Sequence, residues 1–178
     1  MSHSRIAPPV ADEYAPFYSG YVTLAHEQDP LALLESQRDS LRAMCASLTE
    51  EQALARYAPG KWSIKEVLGH LTDTERIFSY RLFRISRGDT TPLAGFDQNA
   101  YVDSARSDER PLAELLGEFL SVREATLRLV QGLTPEELAR RGTANEAAVS
   151  ARALVYIAAG HVAHHIKILR ESYGVSIP

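Results

Sequence analysis

The chain contains 178 residues, of which 45% are hydrophobic and 24% are charged, as is typical of an ordinary globular protein. The formal net charge of −4 indicates no basic face, which argues against nucleic acid or an anionic membrane as the main partner. The single cysteine, Cys45, excludes an internal disulfide, and no apolar signal region or membrane-length stretch is present. We therefore expect one domain spanning residues 1–178 in the cytoplasm.

Four long helical patterns follow one another along the chain, and no stretch shows the alternation of a β-strand. Residues 1–28 are rich in aromatic residues and proline, and we expect them to form an ordered arm packed on the helices. The first helix is expected to begin at Asp29–Pro30, an N-cap followed by proline. The second is expected to begin at Ser63, whose spacing to Glu66 is that of a capping box. The remaining expected limits are the end of the second helix near 88, the third helix at about 109–130 and the fourth at 150–173.

The connection from Thr90 to Asp108 is the longest between these helices, and it decides the expected topology. A helix of about 24 residues spans roughly 36 Å, which about 20 extended residues can also cover. The third helix can therefore start at the same end as the second. We expect an all-α four-helix bundle with up-down-down-up topology and a long crossover between helices 2 and 3.

Three histidines carry the strongest functional signal. His161 and His165 are one turn apart on one face of the fourth helix, so both imidazoles can reach one metal ion. His70 lies seven residues after the start of the second helix, at the level of His165 if these two helices are antiparallel. Three imidazoles that leave coordination positions open are typical of catalytic metal sites. The alternative is that the histidines are unconnected residues on amphipathic helices.

Residues beside the histidines have competing interpretations. His164 could replace His165 as the partner of His161, or it could lie at the surface or support the ligands. Asp73 lies within one turn of His70 on nearly the same face, and is our candidate catalytic proton acceptor or orienting group. Glu66 lies one turn before His70, but its place in the capping box already explains it.

Other candidates are more readily explained by packing. Glu75 is turned about 140° from His70, so we expect Glu75 and Arg81 to form an ion pair or to anchor a loop. Trp62, just before the second helix, could line a pocket or staple the helix entry. Three tyrosines of the arm are more often packing residues than catalytic ones: Tyr14, Tyr18 and Tyr21.

Motifs of several enzyme classes are absent from the sequence. The segment HVAHH lacks the glutamate of the HExxH metalloprotease motif, and no ExxH pairs typical of di-iron bundles occur. The chain also contains no P-loop, no GxGxxG and no GxSxG.

Three segments together resemble the DinB-like superfamily of bacterial metal-binding four-helix bundles: PGKWSIKEVLGHLTDTERIFSYR at 59–81, FDQNAYV at 96–102, and GHVAHH followed by LRESY at 160–173. The resemblance covers almost the whole chain. It implies one divalent ion per chain, commonly zinc or nickel, bound by His70, His161 and His165. It also implies a homodimer.

The function that this resemblance implies is broad. Family members include metal-dependent hydrolases and transferases that use a low-molecular-weight thiol, so we expect a metal-dependent enzyme that acts on a small molecule. The alternative is a non-catalytic metal-binding or stress-response module. An enzyme requires a substrate cavity beside the ion, which distinguishes the two possibilities.

Overall fold

The computed structural model of the protein describes residues 5–177. Polar N-caps begin three of its four long helices. Residues 1–4 of the expected arm and residue 178 lie outside the described residues. The described part contains the helices α1 Ser19–Ala25, α2 Pro30–Ala46, α3 Glu50–Ala53, α4 Ile64–Ser86, α5 Gln98–Ala105, α6 Leu112–Gln131, α7 Pro135–Leu138 and α8 Ala151–Glu171, and the strands β1 Arg141–Ala144 and β2 Ala147–Ser150. Short 3₁₀ turns lie at Ala11–Glu13, Pro16–Tyr18 and Ser107–Glu109.

The predicted starts of three long helices are confirmed, because their cap residues bind the backbone of the first turn. The Asp29 side chain accepts a hydrogen bond from the first turn of α2. Ser63 and Glu66 form the predicted capping box of α4, with the Ser63 amide donating to the Glu66 carboxylate at 2.8 Å. Ser150 caps α8. The remaining long helix, α6, begins at Leu112, slightly later than predicted, because a 3₁₀ turn occupies 107–109.

The structure also contains a short β-hairpin that the sequence did not predict. β1 and β2 pair antiparallel, with Ala144 opposite Ala147. The turn residues Asn145 and Glu146 have φ angles of 51° and 64°, as in a type I′ hairpin turn. Each strand has four residues and the turn lacks the usual Asn-Gly pair, so the sequence carries no clear hairpin signal.

The hairpin and α4 hold the connection between α4 and α6 in place. The Leu93 amide donates to the Thr143 carbonyl and the Asn145 amide donates to the Leu93 carbonyl, both at 2.9 Å. Arg81 of α4 donates through Nη2 to the Ala94 carbonyl at 2.6 Å. After this anchored stretch the chain forms α5, so the connection is partly helical rather than fully extended.

Polar contacts at both ends of α4 show its direction relative to α6. Near the start of α4, Lys65 Nζ donates to the carbonyl oxygen of Arg110, just before α6. Beyond the end of α4, Arg87 forms a 2.9 Å ion pair with Glu137, just after α6. The two helices therefore run in the same direction, and the connection between them returns along the length of the bundle.

Helix α8 runs opposite to α4. The Tyr173 hydroxyl, beyond the end of α8, donates to the carbonyl oxygen of Trp62 before α4 at 2.6 Å. At the other end of the bundle, Arg140 donates to the carbonyl oxygen of Ser86, and the Ala151 amide at the start of α8 donates to the Arg140 carbonyl. This antiparallel arrangement brings the first turns of α4 to the level of the last turns of α8.

Helix α1 packs so closely against α8 that one position there must be glycine. A Cβ atom at Gly160 would overlap the backbone carbonyl of Tyr21 in α1. The next residue of α8 is His161, whose ring lies 5.4 Å from the Tyr21 ring. Gly160 therefore allows the Tyr21 side chain of α1 to reach one wall of the histidine cluster.

A buried ion pair joins three of the long helices. Arg123 of α6 donates through Nε and Nη2 to the two carboxylate oxygens of Glu75 in α4, at 2.7 and 2.9 Å. It also donates to the carbonyl oxygen of Leu34 and the side-chain oxygen of Gln37 in α2. The expected ion pair of Glu75 with Arg81 does not form, because Arg123 occupies the carboxylate, whereas the alternative that Arg81 anchors a loop is confirmed by its bond to the Ala94 carbonyl. None of the described helices has an apolar stretch long enough for a membrane crossing.

Candidate metal centre

The three histidines singled out in the sequence meet in one cluster. Their ligand nitrogens all lie within 4.8 Å of one another, and the Nε2 atoms of His70 and His161 are 3.0 Å apart. Two nitrogens that bind one zinc ion, each at about 2.0–2.1 Å, lie roughly 3–3.5 Å apart. The nitrogens of His70, His161 and His165 therefore fit a single ion after small side-chain adjustments. Within residues 5–177 no carboxylate or thiolate joins this set, so it offers three protein ligands.

Burial keeps the three imidazoles uncharged near neutral pH. It lowers the pKa of His70 to about 4. Burial, followed by the neighbouring His70 and His164, lowers the pKa of His165 to about 3. The pKa of His161 is also well below its ordinary value, mainly through burial. Neutral imidazole is the form that binds metal, so binding at pH 7 requires no proton to be displaced.

Aromatic and hydroxyl groups enclose the cluster. The Trp62 ring lies 4.7 Å from the His70 ring, and the Phe78 ring lies 5.8 Å from the His161 ring. The Thr74 hydroxyl lies 3.4 Å from Nδ1 of His70, a contact that orients this imidazole with Nε2 toward the other histidines. These neighbours limit the access of solvent and restrict the rotation of the ligands.

Two other predicted residues lie outside the set of three. His164 is half-buried, and its ring packs 5.4 Å from that of Tyr21. The Asp73 carboxylate pairs with Arg76 at 3.3 Å, and Arg76 also binds Glu118 of α6. Burial raises the pKa of Asp73, and the cation of Arg76 partly opposes this increase. The structure therefore gives Asp73 a cationic partner rather than a histidine.

Two cavities reach the histidine cluster from different sides. The larger, of about 520 Å³, is bordered by His161, and the smaller, of about 260 Å³, by His165. Asn99 of α5 borders both, so α5 lies between their mouths. The larger cavity is lined by Phe17, Tyr18, Tyr21, Thr74, Phe78, Arg81, Phe96, Asp97, Gln98, Asn99, Asn145 and His161. The smaller is lined by Tyr57, Gly60, Lys61, Trp62, Val67, Asn99, His165, Ile168 and Tyr173.

Sequence reasoning identified only part of these cavity walls. Trp62 lines the smaller cavity, and two of the three tyrosines of the arm, Tyr18 and Tyr21, line the larger one. Asn99 lies in the FDQNAYV segment, which stood out by resemblance but had no assigned role. Asn145 gave no signal, because it reaches the cavity from the turn of the unpredicted hairpin.

The fold and the site place this protein in the class of four-helix bundles with a candidate metal site, formed here by one histidine of α4 and two of α8. A family model described as DinB superfamily matches residues 33–169, which is more than half of the chain. The chain therefore belongs to the DinB superfamily.

Known proteins with similar sequences or folds agree with this assignment. The chain is 29% identical over 99 residues to a Geobacillus thermodenitrificans (strain NG80-2) protein named "Putative metal-dependent hydrolase", and the match covers 54% of this chain and 56% of that protein. Among solved structures, the chain superposes on YfiT from Bacillus subtilis with a TM-score of 0.74 at 19% identity, covering 97% of this chain and all of that one. YfiT is described as a probable metal-dependent hydrolase with an unusual four-helix bundle topology. The DinB-like protein YjoA from Bacillus subtilis superposes with a TM-score of 0.60 at 17% identity, covering 85% and 96%. At these identities the two structures show the fold alone.

Proposed function

We propose that this protein is a metal-dependent hydrolase of a small molecule, with one divalent ion per chain held by His70, His161 and His165. The observation that carries the proposal is the cluster itself: three neutral, buried imidazoles whose nitrogens lie within 4.8 Å of one another, beside a cavity of about 520 Å³. A purely structural site closes its coordination with four protein ligands, whereas three leave a position open. The name of the Geobacillus relative supports the same assignment.

The chain's own residues would prepare the site for this chemistry. When bound, the ion supplies Lewis-acid chemistry, which polarises a carbonyl group and lowers the pKa of water or of a thiol. Thr74 fixes the orientation of His70, while Trp62 and Phe78 restrict water around the ligands. Zinc and nickel are the first ions to test, since both accept imidazole ligands.

The smaller cavity supports a second candidate, a thiol-dependent transferase. Hydrolysis needs one organic substrate and water, whereas thiol transfer needs room for two organic molecules. Cavities that border His161 on one side and His165 on the other provide this room. A low-molecular-weight thiol in one cavity and an electrophile in the other would meet at the histidine cluster.

The first prediction concerns metal binding. The His70→Ala, His161→Ala and His165→Ala variants should each lose most bound zinc or nickel, because two imidazoles hold an ion far less tightly than three. Elemental analysis after dialysis against each metal measures this stoichiometry. His164→Ala is the matched control, since it removes a neighbouring imidazole outside the set, and it should retain one ion per chain. Equal metal content in all four variants would refute the site.

Activity then separates the three possibilities. Metal-loaded protein should hydrolyse activated esters or amides if it is a hydrolase, and should consume thiol together with an electrophile if it is a transferase. In either case, a chelator should abolish turnover and added metal should restore it. If metal-loaded protein turns over neither type of substrate, the non-catalytic binding module replaces the enzyme proposal.

A further inference from the structure

Arg81 is a buried cation that the proposed chemistry does not use. Its side chain is only 3% exposed and lines the cavity beside His161. Among residues 5–177, its one hydrogen bond is the 2.6 Å contact from Nη2 to the Ala94 carbonyl, and it has no ion-pair partner there. The guanidinium nitrogens Nε and Nη1 therefore remain available to a molecule in the cavity.

An unpaired buried guanidinium is costly, because an arginine cannot lose its proton to escape the low-dielectric interior. The other buried arginine among residues 5–177, Arg123, has its charge neutralised by Glu75. The carboxylate on the cavity wall, Asp97, forms no ion pair with Arg81. It caps α5 by accepting hydrogen bonds from the amides of Asn99 and Ala100.

Arg81 shares one face of α4 with His70 of the histidine cluster. His70, Thr74, Phe78 and Arg81 follow one another along one face of α4, with successive spacings of four, four and three residues. His70 and Arg81 are 11 residues apart in α4, which is roughly 16 Å between their backbones. Arg81 and His161 line the same cavity, so the guanidinium and the histidine cluster face one space.

We propose that Arg81 is the anion-binding residue of this cavity, and that the substrate carries a carboxylate or phosphate group at the end away from its reacting group. Arginine binds both oxyanions through paired N–H donors. The cavity is also lined by the aromatic side chains of Phe17, Tyr18, Tyr21 and Phe78, so we expect the body of the substrate to be apolar or aromatic. This inference depends on the proposed function in one respect only, which is the choice of the end of the substrate that reacts.

The anion site can be tested without any metal. Metal-free protein is titrated at pH 7 with phenylbutyrate, with its uncharged amide phenylbutyramide and with phenylpropyl phosphate, and NMR measures each Kd. Hydrogen bonds to a charged group contribute about 1.5–3 kcal/mol, so an anion should bind roughly 10- to 150-fold more tightly than the amide. The stronger of the two anions identifies the substrate's charged group.

Three variants assign the effect to this residue. Arg81→Gln should reduce the preference for the anion to less than about threefold. Arg81→Lys, which keeps the charge without the paired donors, should show an intermediate preference even if Arg81→Gln folds poorly. Arg84→Gln is the matched control, because it removes the same charge one turn further along α4, from an arginine already paired with Asp89. It should retain the wild-type preference.

Other results would overturn the assignment. If wild-type protein binds anion and amide equally, or shows no saturable anion binding, Arg81 serves only to hold the crossover at Ala94. If Arg84→Gln loses the preference as fully as Arg81→Gln, the anion occupies the hollow on the other side of the crossover, which both arginines border. These results are independent of metal binding, so a failure here is distinguishable from a failure of the proposed function.

Discussion

The Asp73 carboxylate lies three residues beyond His70 on α4, and its ion-pair partner is Arg76. At the scale of single residues, helical spacing put Asp73 within one turn of His70 but did not show that its ion-pair partner is Arg76. Burial raises its pKa, which is the direction expected of a group that exchanges protons near neutral pH, while Arg76 acts in the opposite direction. Its role as a proton acceptor stays a prediction.

That prediction has a direct kinetic test. If Asp73 accepts a proton during turnover, Asp73→Asn should lower kcat by about 10²- to 10⁴-fold, since amides cannot accept a proton as carboxylates do. The substrate is the one found in the activity screen, and the measurement is kcat as a function of pH. Asp39→Asn, which removes a surface carboxylate paired with Arg42 at 2.9 Å, is the control. An unchanged kcat would limit Asp73 to its ion pair with Arg76.

At the scale of elements, the close packing of α1 on α8 depends on one glycine, Gly160, so a single substitution can test it. Gly160→Ala should destabilise the protein by about 1–3 kcal/mol, because the new methyl group overlaps the Tyr21 backbone and forces the helices apart. Gly117→Ala is the matched control within α6, where no heavy atom lies within 4 Å of the added methyl group. It should stabilise by about 0.5–1 kcal/mol through helix propensity. Urea denaturation measures both, and equal effects would contradict the close packing.

The ion pairs between α4 and α6 differ in burial, and we expect their contributions to differ accordingly. Glu75→Gln leaves the guanidinium of Arg123 buried without a carboxylate, which should cost about 3–5 kcal/mol of the free energy of unfolding. Glu118→Gln breaks a partly exposed pair with Arg76 between the same two helices, and should cost less than about 1 kcal/mol. Thermal and urea denaturation compare the two. Similar losses would show that Arg123 is compensated by Gln37 and the Leu34 carbonyl alone.

The histidine cluster joins α4 and α8, so its protonation affects the stability of the whole molecule. Unfolded histidine has a pKa near 6.5, whereas those of His70 and His165 in the folded protein are about 4 and about 3. Between these values the unfolded chain binds more protons than the folded protein. Their contribution to stability is therefore present above pH 6.5 and is lost as the pH falls toward 4 and 3.

Metal-free protein should accordingly lose stability on acidification. Each of these two histidines should cost on the order of 2 kcal/mol between pH 7 and pH 5, measured by urea denaturation. His165→Gln should flatten this dependence, while His26→Gln, which replaces an exposed histidine, should leave it unchanged. A stability that is constant from pH 7 to pH 5 would show that the imidazoles are accessible to water in the metal-free protein.

Association as a homodimer, implied only by resemblance, stays a prediction for the molecule as a whole.

The sequence by itself determined the features that depend on a few consecutive residues. Cap chemistry at Ser63 and Ser150 set the starts of α4 and α8, and the four-residue spacing of His161 and His165 placed both on one face. His70 could be joined to this pair only by assuming that its helix runs antiparallel to theirs. The helix starts and the pair of histidines on α8 could be predicted from the sequence alone. These are local properties, because each depends on contacts within one turn of the same helix.

Only the tertiary structure decided how distant residues pair. Glu75 and Arg123 are 48 residues apart, and nothing in either helical pattern distinguishes that pair from Glu75 with Arg81. The hairpin likewise forms where four-residue strands gain a third partner, Leu93 of the crossover, so its stability comes from packing rather than from its own sequence. Within residues 5–177, Arg81 binds the Ala94 carbonyl, forms no ion pair and lines the cavity, which its spacing along the helix could not show. Such pairings depend on the three-dimensional arrangement of all the helices, since burial and charge compensation arise only when the elements pack together.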